Sequence, residues 1–168
     1  SFRGGAPMQV KDFQNVHNML QETVERDPDQ DAYRWIHDDG TTGSVTWAEF
    51  DAERRKVARS LVALGLGKDD KACVLAYTCY RWVLVDVALM SIGAVTVGIY
   101  QSNLPKDCRY IIDHSDAKLV FVHDEVQLDK VRQIRDRLDR TLPSLPLDND
   151  RYFIWKYNPN NDPVYWIG

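Results

Sequence analysis

Few residues in this sequence combine the type and the spacing that chemistry demands. Thr41-Thr42-Gly43 sets two small hydroxyl residues beside a glycine, a combination that can turn backbone N–H groups toward a phosphate. A phosphate loop also needs a helix N-terminus behind it and usually a lysine at its far end. Here Val45 follows within two residues and the next lysine is Lys56. The segment therefore reads as the turn of a β-hairpin. Gly65-Leu66-Gly67 precedes an apolar strand instead of following one, the reverse of a dinucleotide fingerprint, and reads as a helix end. His17, His37, His114 and His123 are scattered, with no i,i+4 pair and no Cys-x-x-Cys, so no metal site is expected. No Gly-x-Ser-x-Gly turn marks a nucleophile.

Three further groups stand near strand ends. His123-Asp124-Glu125 follows an apolar run, where ligands gather in open α/β sheets, although an N-cap is the simpler role for Asp124. Asp69-Asp70 precedes a strand. A phospho-acceptor domain needs its acidic cluster at the opposite end, where Tyr77-Thr78-Cys79 stands. Arg81-Trp82 could stack on a ligand, but an arginine anchoring a loop over its neighbouring tryptophan is the preferred expectation. By residue type and spacing alone, this is an α/β domain without a self-sufficient active site.

The elements that would position these residues are legible as periodic patterns. Phe13 to Arg26 repeats Val16, Met19, Leu20 and Val24 on one helical face and stops at Asp27-Pro28-Asp29. Ala32 to Ile36 and Ser44 to Thr46 form the arms of a hairpin, with Tyr33 and Trp35 on one side. Thr46-Trp47-Ala48-Glu49 is a capping box opening a helix to about Leu64, with Phe50, Val57, Leu61 and Leu64 facing inward. Apolar strands are expected at Ala72–Ala76, Val95–Ile99 and Leu119–Val122, their starts about 23 residues apart, with a helix in each gap. Arg81 to Ile92 is apolar nearly all round and should be deeply buried. Pro105 opens the next helix, and Asp124 to Leu138 is an amphipathic one with Val126, Val131, Ile134 and Leu138 inward. Near-continuous apolar strands joined by helices predict a three-layer α-β-α architecture. It has a mainly parallel sheet covered on both faces, plus the N-terminal β-hairpin.

Residues 1–10 read as a leader, 11–140 as the α/β unit, and 141–168 as an aromatic-rich tail. Pro143 and Pro146 open that tail, and Asn158 to Pro163 would turn between two strands. The chain has 168 residues, a formal net charge of −4 and a sequence pI near 5.5, which disfavours a nucleic-acid partner. No run approaches the roughly 20 apolar residues of a transmembrane segment. Cys73, Cys79 and Cys108 are odd in number and lack metal spacing, which suits reduced thiols in the cytoplasm.

Several blocks together resemble the start of bacterial AMP-forming long-chain fatty acyl-CoA synthetases, in the adenylate-forming superfamily that includes luciferases. They are Val45-Thr46-Trp47-Ala48-Glu49-Phe50, Ala58-Arg59-Ser60-Leu61, Leu64-Gly65-Leu66, Lys71-Ala72-Cys73-Val74-Leu75 and Arg81-Trp82 with its apolar helix. The most specific runs from Ile92 through Gly93-Ala94-Val95-Thr96-Val97-Gly98-Ile99-Tyr100-Gln101-Ser102 to Asn103. Tyr110 to Lys118 and Val120-Phe121-Val122 follow in the same order, over roughly residues 11 to 138. Two departures stand out: Gly98 replaces a proline common in relatives, and the sequence after about Asp139 does not continue in the family's way. That tail could be a divergent continuation, a fused foreign segment or residues joined across a gap.

The resemblance implies a partial N-terminal subdomain of the adenylate-forming fold. Its parent enzyme would use ATP, Mg²⁺ and CoA to turn a fatty acid into acyl-CoA, AMP and pyrophosphate through an acyl-adenylate. The family's Ser/Thr/Gly-rich loop ending in Pro-Lys-Gly, its metal-binding glutamate, its ribose-binding aspartate and its lid lysine lie beyond the matching stretch. No catalytic or metal-binding residue is therefore carried over, and no cofactor is expected for this segment alone. Arg81, Trp82 and Tyr100 are the positions expected to line or shape the acyl side. The remainder of the synthetase, or a second copy meeting an exposed apolar face, is the expected partner. Peripheral contact with a membrane is a further option, and a stand-alone binding module derived from such an enzyme is the alternative.

Overall fold

The computed structural model describes residues 15–36, 39–134 and 138, together with the backbone of residues 152–154. The leader, Phe13, His37 and the expected turn and second strand of the tail lie outside the described residues. Asn15 caps the first helix, α1 (Val16–Arg26), its side chain accepting the Asn18 N–H at 2.9 Å. Leu20 and Val24 face the body of the protein. Val16 and Met19, expected on the same face, are exposed, because only the middle and last turns of α1 meet a partner.

Strands β1 (Asp31–Ile36) and β2 (Thr42–Thr46) pair antiparallel, as the hairpin pattern predicts. Thr46 then starts α2 (Trp47–Ala63) with a complete capping box. The Glu49 N–H donates to Thr46 Oγ1 at 3.3 Å, and the Thr46 N–H donates to Glu49 Oε2 at 2.9 Å. At the far end the Leu66 N–H reaches back to the Leu61 carbonyl at 3.0 Å while Gly65 takes φ +84°, a Schellman ending that only glycine adopts cheaply. Phe50, Ala58 and Leu61 are buried. Leu64, expected inward, is partly exposed because it is already the C-cap residue.

From here strands and helices alternate: β3 (Lys71–Leu75), α3 (Tyr80–Ser91), β4 (Val95–Ile99), α4 (Pro105–Ser115), β5 (Leu119–Val122) and α5 (Glu125–Ile134). A short strand, β6 (Tyr152–Ile154), follows. The sheet order is β4-β3-β5-β6 and every pair is parallel, with Cys73 opposite both Val97 and Val120. Strand alternation sends Cys73, Leu75, Ile99, Val120 and Val122 to one face, where they meet Cys108 and Ile112 of α4 and Leu128, Val131 and Ile134 of α5. Ala72, Val74, Leu119 and Phe121 point the other way, against α2 and α3. The three-layer α/β architecture with an N-terminal hairpin is thus as expected.

The all-round apolar character of α3 has a specific cause. Its Val85, Ala88 and Leu89 pack on the sheet, while Leu84 and Val87 pack under the hairpin and α1. A helix sandwiched between two layers keeps little solvent face, here mainly Met90 at 37% exposure. Val126 on α5 is exposed against expectation, and Gln127 beside it is buried instead. β4 also departs from the buried-strand expectation: it is an edge strand among the described residues, and Val95 and Gly98 reach solvent.

Candidate functional site

The carboxyl ends of β3, β4 and β5 lie side by side, the place where open parallel sheets gather ligands. Three loops meet there. After β3 comes Tyr77-Thr78-Cys79, with Tyr77 45% exposed. After β4 comes Tyr100-Gln101-Ser102-Asn103, and Tyr100 is 77% exposed. After β5, the His123 N–H donates to the Leu75 carbonyl at 3.0 Å, and its ring meets Tyr77 edge-on with centroids 5.1 Å apart. Burial pulls the His123 imidazole below its ordinary pKa, against an opposing pull from Asp124. Near neutral pH it is thus an uncharged ring. Asp124 accepts the Gln127 N–H at 2.9 Å, the capping role expected of it.

The three residues expected on the acyl side are not gathered into one cluster. Trp82 packs on the α2–α3 face of the sheet beside Gly98, where an added Cβ would stand 3.7 Å from Trp82 Cζ2. That is ordinary contact, so space does not demand glycine at this point. Arg81 meets the ring before it in sequence. Its guanidinium sits 5.4 Å from the centre of the Tyr80 ring, and Tyr80 stacks on Trp35 at 4.9 Å and 11°. Trp35 belongs to the hairpin, so this stack ties the start of α3 to a different layer. Tyr100 alone of the three stands in solvent at the carboxyl end of the sheet.

The other chemical candidates resolve as structural devices. The Thr41 N–H and hydroxyl both bond Asp39 Oδ1, at 2.9 and 2.7 Å, and the Trp35 ring covers Gly43 so closely that a Cβ would sit 2.4 Å from it. A phosphate would meet a carboxylate there and find the glycine backbone shut. Asp70 accepts the Gly67 N–H at 2.9 Å and pairs with Lys118 at 2.6 Å. Lys118, with help from the Gly67 N–H, holds the Asp70 carboxyl below its usual range. Cys73 lies 3.7 Å from the Ser115 hydroxyl, and burial pushes its thiol up to about 11, which leaves it inert. Among the described residues no three His, Cys, Asp or Glu side chains converge as metal donors. With no lysine-bearing glycine loop either, the described residues do not fit a Mg²⁺-nucleotide. No helix among them is long and apolar enough to cross a membrane.

Two features escape sequence reading. One is a groove of about 830 Å³ along α4 and the end of α5, lined by Leu104, Pro105, Arg109, Tyr110, His114 and Ile134 among others. None of the three expected residues lines it. The other is a charge network across three helices. Buried Asp51 takes Arg54 at 2.7 Å, Arg55 at 2.7 Å and Gln21 at 3.2 Å, while Arg54 reaches the Ser91 hydroxyl at 2.7 Å. Burial acts to raise the Asp51 pKa, but the bonds from Arg55 and Arg54 outweigh it and hold the carboxyl low. In sequence these charges look like an ordinary solvated face; the only available signal was their i,i+3 and i,i+4 spacing.

Comparison with known proteins fits this geometry. The profile of the AMP-binding enzyme family matches residues 20–163. The chain belongs to that family. The match runs past β6 into the aromatic tail. Among curated AMP-binding relatives, the long-chain-fatty-acid–CoA ligase FadD15 of Mycobacterium bovis is 31% identical over 129 residues, 77% of this chain and 21% of its own length. The putative acyl-CoA synthetase YngI of Bacillus subtilis is 29% identical over 109 residues, covering 65% of this chain and 19% of its own. The chain thus spans about a fifth of the length of these relatives. The N-terminal domain of FACL13 from Mycobacterium tuberculosis superposes with a TM-score of 0.67 at 23% identity, over 76% of this chain and 31% of that one. The anthranilate CoA ligase AuaEII gives 0.67 at 22% identity, over 77% and 24%. At such identities the structures establish the fold: the parallel sheet and antiparallel pair match the N-terminal domain of adenylate-forming enzymes.

Proposed function

We propose that this chain is the opening portion of an AMP-forming long-chain fatty acid–CoA ligase, and that it serves there as scaffold without catalysing alone. The parent would join a fatty acid to CoA at the expense of ATP, through an acyl-adenylate, in the cytoplasm. The identity with FadD15 over 77% of the chain carries this reading. The described residues supply no phosphate cradle and no three converging metal donors, which supports placing those groups, with Mg²⁺ and CoA recognition, elsewhere in the enzyme. No chemical step is assigned to this portion.

Tyr100 on the carboxyl edge would line the acyl side directly, Trp82 would back it from beneath through Gly98, and Arg81 would act at a distance by fixing the start of α3. Residues 141–168 are read as a continuation of the domain, supported by the parallel pairing of β6 with β5. The partner is the remainder of the enzyme, and the open edge of β4 is a place for it. The Val95 N–H donates to the Asp70 carbonyl at 2.7 Å, so the N–H groups of Thr96 and Gly98 face outward by alternation. In isolation that edge invites self-association.

Pyrophosphate exchange into ATP, driven by a long-chain fatty acid, tests the reading. The full-length enzyme should support it and the 168-residue chain should not. Exchange by the chain alone would sink the scaffold reading, and a full-length enzyme blind to fatty acids would sink the substrate.

A further inference from the structure

The segment from Tyr100 to Leu104 combines two properties rarely found together: a backbone tied at several points and large side chains in water. Its Asn103 N–H donates to the Tyr100 carbonyl at 3.0 Å and closes a turn. The Leu104 N–H donates to Asp107 Oδ2 at 3.3 Å, and the Leu104 carbonyl accepts from the N–H groups of Asp107 at 2.9 Å and Cys108 at 3.0 Å. The Gln101 carbonyl, at the tip of the turn, accepts from Lys130 Nζ of α5. The Cys108 thiol lies 3.9 Å from the Asn103 carbonyl. Lys130 is half-buried and close enough to Cys108 to act on its thiol. Yet Tyr100 is 77% and Leu104 57% exposed.

Exposed apolar side chains on a mobile loop would be ordinary. On a loop held from two helices they form a surface prepared in advance, and preorganisation lowers the entropic cost of binding. The tie is also economical in its chemistry. A turn-tip carbonyl has no backbone partner, and a charged donor makes a stronger bond than a neutral one. Lys130 comes from the helix after β5, so one bond couples the loop after β4 to the neighbouring βα unit.

We propose that Lys130 is a positioning residue: by holding the Gln101 carbonyl it fixes the loop after β4, so that Tyr100 stands ready as a wall for the acyl chain. This rests on the ligase reading above. The Tyr100 ring offers an apolar face at the ligand-binding end of the sheet, which suits an alkyl chain over an anion.

Amide hydrogen exchange on the 168-residue chain tests the tie itself. In Lys130→Met the Asn103 and Leu104 amides should exchange about tenfold faster, the loss expected for one charged hydrogen bond. Val74 and Val120 in the sheet should keep their rates, and Lys130→Arg should restore protection. If Lys130→Met unfolds the domain, Lys130→Gln, with a shorter side chain, is read in the same way. Unchanged loop exchange would overturn the proposal whatever the enzyme does.

In the full-length enzyme, Lys130→Met should raise the KM for fatty acid several-fold with little change in kcat, and Lys130→Arg should reverse it. A Tyr100→Ala variant that raises KM while Lys130→Met does not would also overturn the proposal. If neither variant moves KM although loop exchange has changed, the acyl-side reading fails and the tie survives.

Discussion

At the amino-terminal end of β3, β4 and β5 the connecting loops are bolted to one another, while at the carboxyl end of the same strands aromatic rings stand in water. The closed end uses the Asp69 N–H on the Gly93 carbonyl at 2.9 Å, the Lys118 N–H on the Lys71 carbonyl at 2.8 Å, and the Lys118–Asp70 pair. Arg54 joins it by gripping Ser91, the last residue of α3, just before β4 begins. The open end has Tyr77, Tyr100 and the half-buried His123. Both ends belong to the same strands, whose two faces are packed in the core, so exposure at the open end is not a symptom of poor packing. At one end the ties close the loops on one another; at the other, ties such as Lys130 to Gln101 hold loops whose aromatic side chains stay in water.

The comparison can be broken most sharply at Arg54. Arg54→Ala removes the buried one of Asp51's two arginine partners while Arg55 and Gln21 remain, and should cost about 2–3 kcal/mol in urea unfolding. A loss under about 1 kcal/mol would mean the network adds little, and the closed end is only geometrically closed. Gly93→Ala comes next. Gly93 has φ +74° and would bring a Cβ to 3.4 Å from the Lys68 backbone, so roughly 1–2 kcal/mol should be lost, read from the same urea curves.

Asp70→Asn should cost less, under about 1 kcal/mol at pH 7, because both members of its ion pair reach solvent. Its sign is fixed by the lowered carboxyl. The native Asp70 contributes its stability above the unfolded value, near 3.9, and loses it as pH falls through the lower folded value. Wild type and variant should therefore converge in stability below about pH 4. Parallel curves down to acid pH would show that Asp70 is not the group involved. At the open end, Tyr100→Ser should change stability by no more than about 0.5 kcal/mol. A larger loss would make Tyr100 a structural residue and erase the contrast between the two ends.

Legibility in the sequence divides along a similar line. Thr46-Trp47-Ala48-Glu49 is readable because a capping box closes within one helical turn, and Gly65 because a left-handed residue announces its need for glycine. The parallel strands are readable from their apolar runs and their even spacing. Tyr100 is readable only as the residue that ends a strand; that it stands 77% exposed there is seen in the structure alone. Arg81 is harder: its guanidinium meets the Tyr80 ring, and that ring is fixed in turn by Trp35 from the hairpin. Asp51 and Arg54 carry no local mark of burial, since a charged pair on a helix looks the same whether water or two other helices surround it.

Local pattern alone settled which segments become helices and strands, and the order in which they alternate, because capping, period and turn chemistry act over a few residues. Packing alone decided which charges are enclosed, which ring lies on which cation, and that Lys130 reaches a carbonyl 29 residues before it. Such contacts join segments that sequence keeps apart, and their energy exists only once burial has removed the competing water.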